Sequence, residues 1–279
     1  MVGGETIPFE KLSGAGNDFV VVDNRDGRLD PTSEFVAKVC ARRLSVGADG
    51  LLLVEKPDDA GAADFRMRYF NADGGEVETC GNGARCIARF AYRHGIAPAT
   101  MRFETLAGIY GAQVLGERVK VQMSDPKDVR LAVPLSLREG EFTVACVNSG
   151  VPHVVFVVDD ADGVDVVGLG RQTRYHRDFA PVGTNANFVQ VVDAQTLRVR
   201  TYERGVEDET LACGTGAIAS AVTLAMMGRV SPPVAVRTQG GFTLAVHFRL
   251  SGGVPSDVHL EGDARLIYAG EVHPDAWRY

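Results

Sequence analysis

Sliding the chain along itself by 133 residues superimposes two stretches, and this internal repeat constrains the fold more than any other feature of the sequence. Tyr69 falls on Tyr202, Glu76 on Glu209, Cys80 on Cys213, Gly81 on Gly214, Gly83 on Gly216, Ala84 on Ala217 and Ala88 on Ala221. Each copy reads as a strand, a polar loop, then Cys-Gly-x-Gly-Ala opening an apolar helix. Self-similarity at a fixed offset marks repeated structure, so two similar halves are expected, each presenting one cysteine at a helix N-terminus. The polar, two-proline stretch Ser124–Pro134 is where the chain passes from one half to the other, with the division after residue 126.

The pattern around the repeat is strand-rich with few helices. Phe19–Val22, Leu51–Val54, Val154–Val158 and Phe188–Val192 are short β-branched or aliphatic runs, the signature of buried strands. Phe65–Tyr69, Val119–Met123 and Leu197–Tyr202 alternate as half-buried strands do. Helical spacing predicts helices over Glu34–Leu44, Gly83–Arg93 and Gly216–Met227. A net charge of −7 and the lack of any basic run argue against nucleic acid or an anionic membrane as partner. The N-terminus carries no basic and apolar export signal, and no apolar run reaches the roughly 18–20 residues of a membrane span. Five widely spaced cysteines do not make a disulfide framework. A cytoplasmic protein with reduced thiols is expected.

A cysteine at a helix start faces unsatisfied N–H groups and the positive end of the helix dipole, which favour thiolate over thiol. The glycines that follow let the backbone approach a ligand closely, and the open N–H groups suit a carboxylate. One such motif is weak. Two in duplicated halves suggest thiols on either side of one carbon, an arrangement that can invert a stereocentre: one removes the α-proton, the other returns a proton to the opposite face.

Simpler explanations cover the remaining residues. Cys40, Cys86 and Cys146 read as small buried hydrophobes, Cys86 as helix core six residues past Cys80. A zinc site of Cys80, Cys86 and His153 lacks a close-spaced ligand pair. Gly214–Ala219 matches a dinucleotide fingerprint only formally, because a charged loop separates it from its strand. Pyridoxal phosphate needs a Schiff-base lysine, and the five lysines, none after Lys127, sit in no phosphate-cradle context. No cofactor and no metal are therefore expected. His153 taken alone would be a satisfied core histidine.

The sequence closely resembles the diaminopimelate epimerase family of cofactor-independent amino-acid racemases and epimerases, over essentially its whole length. The residues that carry the resemblance are Lys11–Phe19, Val46–Gly50, Tyr69–Gly75, Cys80–Cys86, Gly183–Phe188, Tyr202–Gly205 and Glu209–Ala217. It implies an α+β fold of two pseudo-symmetric halves, each a curled mixed sheet around a central helix. The halves would be 1–126 and 127–265, with a C-terminal strand in 266–279 returning to the first. It further implies that Cys80 and Cys213 are the paired acid and base. Gly81, Asn82, Gly214 and Thr215 would hold the substrate α-carboxylate in oxyanion-hole fashion. Asn17, Asn71, Asn185 and Arg204 would grip the distal end, Arg204 by a bidentate carboxylate contact. His153 and Glu203 would stand beside the reacting centre.

The activity so implied is interconversion of LL- and meso-diaminopimelate, in lysine and peptidoglycan precursor biosynthesis, by a homodimer acting on a small amino-acid substrate. Gly50, often Gln in the family, and Val151, often Asn, depart from its pattern and remove two possible distal contacts. The alternatives are a thiol racemase of another amino acid such as histidine and, from a different class, a redox dithiol protein.

Overall fold

The apolar runs form strands because their β-branched side chains pack on both faces of a sheet, and the two helices of the repeat fill the space those strands enclose. The computed structural model describes residues 6–78 and 80–279. Residues 1–5, which carry the beginning of the export-signal reading, lie outside the described residues, as does Thr79. The fold is α+β. The chain divides into two compact units, one of residues up to Val121 together with Gly262–Tyr279, the other of Gln122–Glu261.

The first unit contains β1 (Ile7–Gly14), β2 (Asn17–Asp23), α1 (Ser33–Cys40), β3 (Gly50–Glu55), β4 (Phe65–Asn71), β5 (Glu76–Val77), α2 (Gly81–Arg93), β6 (Thr100–Thr105), β7 (Gly108–Leu115) and β8 (Arg118–Gln122). The second contains β9 (Lys127–Leu137), β10 (Gly140–Asn148), β11 (Pro152–Val157), α3 (Val166–Arg174), β12 (Asn185–Asp193), β13 (Thr196–Glu203), β14 (Asp208–Thr210), α4 (Gly214–Met226), β15 (Val234–Arg237), β16 (Thr243–Ser251) and β17 (Val254–Asp263). The last strand, β18 (Arg265–Val272), belongs to the first unit.

Both units follow one strand plan. In the first, β1 lies between β18 and β2, β2 pairs parallel with β3, and β3 antiparallel with β4. β4 takes β5 antiparallel and β6 parallel, and β7 follows β6. In the second, β10 lies between β9 and β11, and β11 pairs parallel with β12. β12 is antiparallel to β13, which takes β14 antiparallel and β15 parallel, and β16 follows β15.

The repeat helices are central. α2 contacts β1, β2, β3, β4 and β7, while α4 contacts β10, β11, β12, β13, β15 and β16. Every residue of α4 from Gly216 to Ala225 is buried, as expected of a helix whose only polar side chains over that stretch are Ser220 and Thr223. The opposite sheet faces are covered by α1 and α3. Val36, Val39 and Cys40 pack with Val20, Val22, Leu51 and Leu53. Val166 packs with Val154, Phe156, Phe188 and Tyr202. Strands covered on both sides explain why these runs are continuous rather than alternating.

Five elements differ from the sequence reading. The helix expected over Glu34–Leu44 stops at Cys40, because Ala41 takes an extended conformation. α2 and α4 begin two residues earlier than the apolar pattern, because Cys80 and Cys213 are themselves the N-cap residues. α3 had no predicted counterpart: its two glycines weaken the helical pattern, and Asp165 starts it by accepting the Gly168 N–H at 2.9 Å. Most of the polar stretch Ser124–Pro134 is strand rather than linker. Among the described residues β9 pairs with β10 alone, and an edge strand tolerates the lost donor of Pro134.

Candidate active site

Each repeat helix starts from a cysteine in extended conformation, Cys80 at φ −143° and ψ 124°, Cys213 at φ −116° and ψ 114°. The first intrahelical bonds are Ala84 N–H to Cys80 O, 2.8 Å, and Ala217 N–H to Cys213 O, 2.9 Å. The preceding N–H groups, of Gly81, Asn82 and Gly83 and of Gly214, Thr215 and Gly216, have no acceptor within their own helix. Each unit therefore presents a thiol together with a cluster of backbone donors, an arrangement able to bind a carboxylate beside a reactive sulfur. The five cysteines are all thiols. Burial pushes Cys40 and Cys86 up to about 12 and raises Cys146, which leaves those three as protonated packing groups.

In the first unit the helix start is held by a one-way chain of amides. Fully buried Arg85 donates from Nη2 to Asn82 Oδ1 at 2.7 Å. The Asn82 amide nitrogen must then face outward, and it donates to Asn17 Oδ1 at 2.6 Å. Asn17 Nδ2 in turn donates to Asp49 Oδ2 at 3.0 Å. Asp49 and Asp18 share Arg42, and Lys11 reaches Asp18 at 2.9 Å. Burial works against the Asp18 charge, but the Arg42 and Lys11 hydrogen bonds outweigh it and lower its pKa. Asn71 stands apart from this chain: its Oδ1 accepts from Tyr69 Oη at 2.7 Å. At Gly50 a Cβ would lie 2.5 Å from the Phe70 carbonyl oxygen and 2.7 Å from the Tyr69 ring, so no side chain fits there.

In the second unit the sulfur is surrounded by polar side chains. Cys213 Sγ accepts the Gly216 N–H at 3.3 Å and lies 3.4 Å from Thr215 Oγ1. Thr215 Oγ1 is 3.0 Å from Nε2 of His153, a residue only 1% exposed. Burial, with the Arg204 charge acting in the same direction, pushes His153 down to about 3, so its ring is neutral. Glu203 accepts from Thr210 Oγ1 at 2.9 Å and from the Cys213 thiol, yet burial dominates and raises its pKa. Arg204 is placed by Asn185. The buried Asn185 accepts the Arg204 N–H at 2.7 Å and donates to Pro152 O at 3.0 Å, while Arg204 Nη1 donates to Val182 O at 3.3 Å.

Cys80, Gly81, Asn82 and Asn17 thus gather in one unit, and Cys213, Gly214, Thr215, His153 and Glu203 in the other, with Asn185 and Arg204 as a linked pair. Sequence reasoning missed Arg85, Asp49, Asn187, Thr201 and Ser149, whose Oγ donates to Thr215 O at 2.8 Å. Arg85, Asp49 and Asn187 lie inside motifs already singled out, but nothing in a motif says which way an amide points. Among the described residues no group of three or more His, Cys, Asp and Glu side chains is placed to hold a metal ion. No helix of the described residues is long and apolar enough to cross a membrane.

The fold defines a class. It is shared with a PhzF-family phenazine biosynthesis protein from Bacillus anthracis, at TM-score 0.72 and 17% identity over 96% of this chain and 99% of that one. A probable proline racemase from Agrobacterium radiobacter K84 matches at TM-score 0.70 and 15% identity, over 97% and 95%. Within that class the diaminopimelate epimerase family profile matches residues 9–129 and 145–250. The diaminopimelate epimerase of Aquifex aeolicus is 45% identical over 97% of this chain and 99% of its own length. That of Archaeoglobus fulgidus is 44% identical over 98% and 99%. The chain belongs to the diaminopimelate epimerase family.

Proposed function

We propose that the chain interconverts LL- and meso-diaminopimelate by proton transfer at one α-carbon between two thiols, Cys80 and Cys213, without a cofactor. Supporting this above all is the placement of each cysteine as the N-cap of a buried helix, at the same point of the same strand plan in two units. One cysteine, as thiolate, takes the α-proton. The other, as thiol, gives a proton to the opposite face, so the two exchange protonation states in each turnover. Two thiolates would repel, so the pair should titrate as a coupled unit.

The N–H groups of Gly81, Asn82, Gly214 and Thr215 would hold the α-carboxylate and stabilise the charge that builds as the proton leaves. Asn17, Asn71, Asn185 and Arg204 would serve the distal amino-acid end, Arg204 through its guanidinium. Glu203 and His153 would tune the surroundings of the reacting centre. The form proposed is a cytoplasmic homodimer, on the family resemblance; light scattering on the purified protein tests the dimer.

Incubation in D₂O with each stereoisomer tests the chemistry. Wild type should place deuterium at the product α-position, and Cys80→Ala and Cys213→Ala should each lose turnover. Full activity in either variant defeats the two-thiol mechanism. Faster racemisation of another amino acid, in a substrate panel, defeats the substrate assignment.

A further inference from the structure

Behind Cys213 lies a residue that the mechanism above does not use. Asn187, on β12, is fully buried, and one of its amide atoms lies 3.0 Å from both the Val154 carbonyl oxygen and His153 Nδ1. A carbonyl oxygen only accepts, so that atom is the Asn187 amide nitrogen. The other end agrees: Oδ1 accepts from Thr201 Oγ1 at 3.0 Å. Oδ1 also fills the space where a Cβ on residue 216 would sit, which reserves that position of the Cys-Gly-x-Gly-Ala motif for glycine.

We propose that Asn187 fixes the tautomer of His153 and thereby the direction of the hydrogen bond between Thr215 and Cys213. Because Asn187 donates to Nδ1, the ring proton sits on Nε2 and donates to Thr215 Oγ1. Thr215, its oxygen already accepting, turns its own hydrogen to Cys213 Sγ. The sulfur then receives two donors, Thr215 O–H and Gly216 N–H, both of which favour its thiolate form. His153 is a neutral positioning group here, and Asn187 positions it in turn. No proton is transferred along the relay.

The kinetic part of this inference rests on the proposed epimerase activity; the tautomer does not. Nitrogen NMR on histidine-labelled protein, with the His153 signals identified by their loss in His153→Gln, reads the tautomer directly. Wild type should show a protonated Nε2 and a bare Nδ1, unchanged between pH 5.5 and 8. Asn187→Asp offers Nδ1 an acceptor, so a proton should appear there and become pH-dependent in that window. Its kcat should fall about tenfold, the scale of one hydrogen bond lost in a dry site, with KM shifted less than about twofold. Asn187→Leu should leave His153 exchanging between tautomers, with a smaller loss of kcat.

A wild-type His153 protonated at Nδ1 overturns the assignment, as does a folded Asn187→Asp or Asn187→Leu that leaves tautomer and pH response unchanged. If Asn187→Asp does not fold, Asn187→Leu decides. A wild type that leaves diaminopimelate untouched while showing the Nε2 tautomer defeats the proposed activity alone.

Discussion

The two helix starts share a backbone and differ in almost everything packed behind it. At the third pair of the parallel register, Val21 faces Leu52 in the first unit and Val155 faces Asn187 in the second. The glycine that follows each cysteine by three packs on that same residue, Gly83 on Leu52 and Gly216 on Asn187. At the head of the register Phe19 stands beside Gly50, whereas His153 stands beside Asn185. The first unit thus backs its thiol with apolar core and a buried guanidinium, and the second with a neutral polar relay and a carboxyl group. A duplicated backbone supplies the symmetric part of the chemistry, a sulfur and a set of N–H donors. The residues behind it decide how each sulfur is held.

If both thiols are required despite these surroundings, Cys80→Ala and Cys213→Ala should each lower kcat by about 10³-fold or more, measured as α-deuterium incorporation. A large difference between them would mean that the two units do not share the work. Next in size, Leu52→Asn imitates the second unit inside the first. No histidine faces it there, so the amide should be buried without its partners, destabilising the protein by about 2–4 kcal/mol in denaturant unfolding. A neutral result would mean the two backings are interchangeable.

Thr215→Val cuts the relay at its middle and should lower kcat by about tenfold. Thr215→Ser, which keeps the hydroxyl, should recover most of that loss. The smallest effect concerns Glu203, whose pKa burial raises above the ordinary 4.5. A group with a raised folded pKa stabilises the fold below its unfolded pKa and loses that contribution as pH climbs through the folded value. Glu203→Gln should therefore gain on wild type between pH 4 and pH 7, by under about 1 kcal/mol given its partial exposure. Parallel thermal denaturation of both proteins across that range checks the sign.

Much of the fold was legible because its signals are local. Val20–Val22 and Leu51–Val54 have no polar face to offer solvent, and Ala217–Ala225 interrupts its apolar residues only with Ser220 and Thr223, too little to make a solvent face, so burial was legible for each. The cysteine positions were legible because the repeat aligns them. What escaped is long-range or directional. α3 is a helix made by its Asp165 cap and its packing, not by its own pattern. The strand character of Lys127–Leu137 comes from its pairing with β10, which a reading of the proline-containing segment alone does not reveal. The orientations of Asn17 and Asn187 follow from Asn82, Asp49 and the Val154 carbonyl, all far away in sequence, and that of Asn82 from an Arg85 side chain that only the fold turns toward it, so no motif encodes them.

The return of β18 to the first unit has a consequence for how the protein is made. All the strands that β10 needs as neighbours come from the continuous stretch Gln122–Glu261. β1, near the start of the chain, waits for β18; Ser13 pairs with Arg265, 252 residues away. During synthesis from the N-terminus, the half made first is the half completed last. Its β1 edge stays open until β18 has left the ribosome, a template for mispairing in the interval, while the second unit can already be whole.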